Sequence, residues 1–398
     1  MTTHREILMP TSYSVILAVS GTHLINDLIQ FLLPALYPVL KTQYALTYFQ
    51  LGLLTLAQQI TACILQPVMG LYGDLKPKPY ALAVSMTVVA VGVVMLATAG
   101  SFVFLLLAAT VLGIGSALFH PEASRVCRMA SGGRLGFAQS SFQVGGNTGT
   151  ALGPLAAALF VLPLGQISTV WFGLLAVAAV MILIRVAGWF TNHQRMMQSA
   201  GAQRKWTSQL PRKRLILSFA VIGALLLSKF VYIETFKSYY AFYLIDRFGL
   251  SISEAQTVLF LFLGALAVGT FFGGPVGDRV GRRKVIWGSI VGALPFALVL
   301  PHASLWGVIV LSIVVGLILS SAFSAIVVYA QELLPQKVGM VAGFVFGFAF
   351  GVGALGAAAL GALADQIGMQ QVFTYLSAIL FLGFLTALLP DIDRDLNA

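Results

Sequence analysis

Hydrophobic and polar positions along this chain alternate over tens of residues rather than within single turns. Long apolar runs are broken by short polar turns. The pattern predicts helical spans at 13–40, 49–73, 79–100, 102–127, 135–160, 168–190, 214–245, 254–278, 284–302, 304–331, 338–363 and 369–390. About 20 apolar residues are what an α-helix needs to cross a hydrocarbon core, and only helices or closed barrels satisfy their backbone there. The short alternating segments of a transmembrane β-barrel are absent. The longest polar stretch, 191–213, is expected to be a linker, in part a basic interfacial helix. It separates a six-helix half at 1–190 from a second at 214–398. The fold class is therefore an all-α membrane protein, twelve transmembrane helices in two pseudo-symmetric bundles.

Composition agrees: 59% of residues are hydrophobic and 9% charged, against roughly 25% charged in soluble domains. The net charge of +10 suggests a nucleic-acid partner until the charges are placed. With both termini cytoplasmic, nineteen of the 23 Lys and Arg fall on the cytoplasmic side. Lys41 and Arg247 fall outside, and Lys229 and Lys237 stay within a span. That asymmetry is the positive-inside pattern of an inner-membrane protein and argues against nucleic acid. The polar segment 1–12 is too short to be a cleaved signal with its own apolar core. Cys63 and Cys127 make no disulfide framework and no metal-ligand spacing. No metal or cofactor is expected.

One turn recurs. Gly274–Lys284 reads G-P-V-G-D-R-V-G-R-R-K, and Gly70–Lys78 reads G-L-Y-G-D-L-K-P-K. Asp74 and Asp278 stand 204 positions apart, about half the chain, which suggests duplication of a membrane bundle. Gly274 and Gly277 would let two helices approach closely. Asp278 can cap a helix N-terminus or pair with Arg279, Arg282 or Arg283. The pattern G-x-x-x-D-R-x-G-R-R resembles the signature loop of the major facilitator superfamily. It is complete at Gly274, Asp278, Arg279, Gly281, Arg282 and Arg283. The first copy keeps Gly70 and Asp74 but has Leu75 and Pro77 where Arg and Gly are expected.

Ionisable residues inside the spans carry the chemistry, since a charge at mid-membrane costs roughly 2.5–3.5 kcal/mol on insertion scales. In the first span His23, Asn26, Asp27 and Gln30 share one helical face. They either line a wet cavity or form a structural pair, and His23 with Asp27 makes a plausible proton site. The fourth span ends F-H-P-E-A-S-R, with His120 before Pro121 and with Glu122 three residues from Arg125. That pair either switches on proton uptake or anchors the helix. Gln58, Gln59 and Gln66 read as glue between helices. Gln139, Gln143 and Asn147 make a polar stripe beside Gly149, Gly153 and Pro154, which suits close packing and a kink. The seventh span holds Lys229, Tyr232, Glu234, Lys237 and Tyr239. Lys229 reads as a cavity cation and Lys237 as one that snorkels outward. Phe31, Tyr232 and Tyr239 would shape the cavity. Glu332 is expected to be a gate or network partner of Arg282 and Arg283.

The strings F-H-P-E-A-S-R-V-C-R-M-A-S-G-G-R, F-Q-V-G-G-N and T-H-L-I-N-D-L-I-Q resemble the fosmidomycin resistance protein family. The resemblance implies efflux of that phosphonate antibiotic, in exchange for protons, by a monomer working by alternating access. The residues assign proton coupling to Asp27, Glu122, Glu234, His23 and His120. They assign substrate contact to Lys229, Arg125, Asn26, Gln143 and Asn147. A proton-coupled importer of a small organic anion or sugar is the alternative. An intramembrane enzyme is disfavoured, because no H-E-x-x-H, paired-Asp or Ser–His arrangement is present.

Overall fold

The structure is a computed structural model and describes residues 10–36, 40, 43–46, 48–199 and 211–390. The described residues form twelve helical spans. In one half they are α1 (Tyr13–Ala35), α2 (Tyr48–Leu75), α3 (Ala81–Thr98), α4 (Phe102–Ala130), α5 (Leu135–Ala156) and α6 (Val170–Ser199). In the other they are α7 (Arg212–Phe248), α8 (Ile252–Val280), α9 (Arg282–Val299) and α10 (Leu305–Ser320, resuming as Ala322–Leu333). α11 (Val338–Ile367) follows, then α12 (Met369–Leu376, continuing as a 3-10 helix over Ser377–Leu388). Eleven are long and apolar enough to cross a membrane; α5, diluted by its Gln–Asn stripe and glycines, falls short on composition. The protein is thus multi-pass, as expected.

Local chemistry explains the ends and breaks. α1 stops one residue after Pro34. A Ser251–Glu254 capping box starts α8, satisfying two orphan N–H groups at once. α8 and α9 are separated by Gly281, whose φ of +93° few other residues accept. α5 runs through Pro154 and then widens into a π-helical turn at Ala157–Val161, a deviation typical of helices that have lost a backbone donor. α6 continues to Ser199, so the polar stretch from Thr191 opens as helix. The helix is favoured by this stretch's run of good helix formers. Residues 200–210 lie outside the described set.

Each half packs in the same way. α1 lies along α5, and α7 along α11. Between halves, α2 crosses α11 and α8 crosses α5. Exchanging the halves exchanges these contacts, which is the pseudo-symmetry the repeated turn implied. One end gathers the first and last described segments: Ser12 N–H donates to Ala130 O, and the Tyr329 hydroxyl to Pro390 O. Arg125, Arg128, Arg134 and Arg282 cluster near it, and it is called the basic end below.

Candidate transport cavity and the gate at its basic end

Between the halves lies a cavity of about 160 Å3, walled by α1, α2, α4 and α5 from one side and α7, α8, α10 and α11 from the other. Helical spacing on α1 turns His23, Asp27, Gln30 and Phe31 toward it. α4 brings His120, 97 positions from His23, to the same point. His23 Nε2 lies 3.3 Å from Asp27 Oδ2, His120 Nε2 lies 3.5 Å from Asp27 Oδ1, and the two Nε2 atoms are 3.2 Å apart. The other ring nitrogens face backbone carbonyls: His23 Nδ1 is 2.7 Å from Phe142 O and His120 Nδ1 is 3.0 Å from Ser116 O. A carbonyl only accepts, so both Nδ1 atoms carry hydrogen and donate. The neutral rings then present two Nε2 lone pairs to each other and to a carboxylate. Such a cluster holds together only around a positive charge.

Lys229 stands on the wall contributed by the second half. Its side chain is fully buried, and Nζ has no hydrogen-bond partner among the described residues; the Phe323 ring centroid is 5.6 Å away. An ammonium held dry without a counter-ion is costly, and residues kept in that state point to a missing anion. Two turns along α7, Lys237 Nζ pairs with Glu234 Oε1 at 2.7 Å, and both line the cavity. Lys237 lies 5.9 Å from the Phe31 ring, so it reaches across to α1 rather than snorkelling outward. The charged and titratable groups on the wall are His23, Asp27, His120, Lys229, Glu234 and Lys237.

Of the substrate residues read from the sequence, Lys229, Gln143, Asn147 and Phe31 line the cavity. Asn147 Nδ2 also donates to Thr270 Oγ1 across the halves, at 3.0 Å. The others stand outside its wall. Asn26 is buried and donates to Asp27 Oδ1 at 2.8 Å, so it supports the cluster instead. Tyr232 is buried against Phe236 with ring centroids 4.8 Å apart, and Tyr239 packs on the core. Glu122 and Arg125 pair at 2.5 Å toward the basic end, and Arg125 Nη1 donates to Gly73 O, tying α4 to α2. Gln58 is glue as expected, donating to Gln30 Oε1 at 2.6 Å, while also facing the cavity with Gln59 and Gln66.

Sequence reasoning missed Gly146, Phe346 and Phe350. A Cβ on Gly146 would sit 2.3 Å from His23 Cε1 and 2.8 Å from Asp27 Oδ2. Phe346 and Phe350 close over His120, with centroids 5.4 and 6.1 Å away. Nothing in the repetitive glycine–phenylalanine sequence of α11 marks those two rings.

The signature loops tie the halves together. Asp278 accepts from the Gly136 and Phe137 N–H groups at the start of α5, at 2.9 and 3.0 Å. Asp74 accepts from the Gly339 and Met340 N–H groups at the start of α11, at 2.9 and 2.8 Å. Each carboxylate therefore caps a helix of the opposite half, and the worn first copy makes the same contact as the complete second one. The backbones touch there: a Cβ on Gly70 would meet Gly339 O at 2.0 Å, and one on Gly274 would meet Gly136 O at 2.0 Å. Gly277 is looser, at 3.8 Å from its nearest neighbour. Arg282 bridges Asp278 and Glu332 at 3.4 and 3.2 Å, as expected of Glu332. Arg283 bonds to Ala387 O, whereas Arg279 is exposed. Gly149 and Gly153 lie against α1, with Cβ positions 2.2 Å from Leu24 O and 2.8 Å from Phe31 Cβ.

Two six-helix bundles locked at one end around a charged cavity define a multi-pass membrane transporter of small molecules. The chain belongs to the Major Facilitator Superfamily, whose model matches residues 19–245 and 235–396. It is 49% identical over 381 residues to the fosmidomycin resistance protein of Escherichia coli (strain K12), covering 96% of this chain and 94% of that one. It is 42% identical over 385 residues to the MFS-type transporter YfnC of Bacillus subtilis (strain 168), covering 96% and 93%. Among solved structures, the transporter FucP in the outward conformation shares the fold, with a TM-score of 0.71 at 15% identity over 94% of this chain and 97% of FucP. Membership in this transporter family sets the enzyme reading aside.

Proposed function

We propose that the protein exports small anionic phosphonates of the fosmidomycin type by proton-coupled alternating access. The observation that carries the substrate class is Lys229, a buried lysine whose Nζ has no hydrogen-bond partner among the described residues, on the wall of the central cavity. A phosphonate oxygen would supply the missing counter-charge. The 49% identity to a fosmidomycin resistance protein supports export of this class. The protein sits in the inner membrane with its basic end in the cytoplasm, in keeping with the asymmetry of its Lys and Arg. The present arrangement is then the conformer closed to the cytoplasm.

Glu234 is the coupling carboxylate of this reading. Proton uptake there dissolves its pair with Lys237, which spans from α7 to Phe31 of α1. That changes the relative energies of the two conformers, which is all that coupling requires. A strain expressing the protein should tolerate several-fold more fosmidomycin than one without it, and a protonophore should abolish the difference. Unchanged tolerance would overturn export of this class, and increased sensitivity would point to import.

A further inference from the structure

We infer that His23, Asp27 and His120 form a binding site for a divalent transition metal of the Zn2+ class, open toward the transport cavity. The argument rests on the cluster alone and is independent of the substrate reading.

First, His23 Nε2 and His120 Nε2 are 3.2 Å apart, and each lies against a different oxygen of Asp27, at 3.3 Å (Oδ2) and 3.5 Å (Oδ1). Zinc bonds to imidazole nitrogen and carboxylate oxygen are about 2.0–2.2 Å long, so the edge of their tetrahedron is about 3.3–3.5 Å. Each of these pairs stands about one such edge apart, and one ligand atom from each residue lies within 4.8 Å of the other two. Second, both imidazoles are turned the right way. Each donates its Nδ1 hydrogen to a backbone carbonyl, Phe142 O or Ser116 O, and so presents the Nε2 lone pair inward. Such outer hydrogen bonds are what fix the tautomer of metal-bound histidine. The carboxylate is oriented too, by the Asn26 amide at 2.8 Å. Third, three protein ligands with nitrogen and oxygen donors suit a borderline ion such as Zn2+, Co2+ or Ni2+ rather than Ca2+ or Mg2+. Fourth, residue 146 has no side chain. A Cβ there would lie 2.5 Å from His23 Nε2 and 2.8 Å from Asp27 Oδ2, in the space the ion needs. All three ligands line the cavity, so the fourth coordination position faces transported solutes. A small anion with donor oxygens would complete the shell there.

The test uses untagged, detergent-purified full-length protein and Co2+ alone as the probe. One Co2+ per chain is expected, with the visible bands of a four-coordinate ion, and Zn2+ should displace it. His120→Gln and Asp27→Asn should each weaken Co2+ binding tenfold or more, as should Gly146→Ala, which keeps all three ligand residues but crowds the space between them. Thermal melting establishes that each variant is folded. Lys229→Ala should bind Co2+ as the parent does. Absence of stoichiometric Co2+, an octahedral spectrum, or equal binding by the folded ligand variants would overturn the site and assign the cluster's positive charge to protons. Fosmidomycin resistance would stand or fall separately, because Lys229→Ala probes it without touching the cluster.

Discussion

The residues that define this protein are charges held where charge is costly. Lys229 has no counter-ion among the described residues. Its removal should therefore stabilise the fold while destroying function, as at sites whose strain is kept for activity. Lys229→Met is expected to raise the thermal midpoint, by analogy with buried ionic groups whose apolar replacement gains about 1–4 kcal/mol. Fosmidomycin tolerance should fall to that of a strain without the protein. Parallel melting curves and growth assays check both halves; a lowered midpoint would make Lys229 a structural residue. Glu234→Gln keeps a hydrogen-bond acceptor for Lys237 but cannot titrate. Exchange of labelled fosmidomycin across vesicles should persist in that variant, while accumulation driven by an imposed pH gradient disappears. These positions were legible because ionisable residues are rare in apolar spans. Asp27, His120 and Lys229 stood out from the sequence, and all three reach the cavity. Glu122 and Arg125 carried the same signal and do not, and neither do the expected cavity aromatics Tyr232 and Tyr239, because which side of a helix meets the cavity depends on its neighbours.

At the scale of the helix, glycine decides how closely pairs approach. α5 touches α1 at the backbone through Gly145 and Gly149, with Cβ positions 2.1 Å from Ser20 O and 2.2 Å from Leu24 O. Gly146, between them, faces His23 and Asp27. Gly146→Ala should force the two helices apart, at a cost of about 1–3 kcal/mol typical of overpacking, and lower tolerance sharply. Gly188 on α6 has nothing near its missing side chain. Gly188→Ala should leave transport intact and gain about 0.5–1 kcal/mol from the lost backbone freedom. A pair of melting curves with growth assays separates the two positions, and equal behaviour would remove close packing as the explanation. The small-residue pattern of α5 and α11 was visible beforehand, but its partners were not. Periodicity shows that a face is smooth, not what lies against it.

Over the whole molecule, the pseudo-two-fold relation joins Asp74 to α11 and Asp278 to α5. Both caps hold the basic end shut. Losing a cap costs about 0.5–2 kcal/mol, and one or two kcal/mol changes a population ratio about 5- to 30-fold. Asp74→Asn and Asp278→Asn are each expected to populate a conformer opened at that end, and to similar extents despite the different flanking residues Leu75 and Arg279. Spin-label distances between α2 and α11, and between α5 and α8, measure the shift; opening by only one variant would break the equivalence. From sequence alone came the spans and, through the resemblance of the signature loops, the family of transporter. The spans follow from composition and local periodicity, because lipid demands one long apolar helix per crossing wherever it stands. Only the tertiary structure could seat His120 beside His23 and Asp27, leave Lys229 unpartnered and send Glu122 with Arg125 toward the gate. Those are contacts between distant helices, and the rotation of each helix about its axis is set by packing that no single stretch of chain encodes.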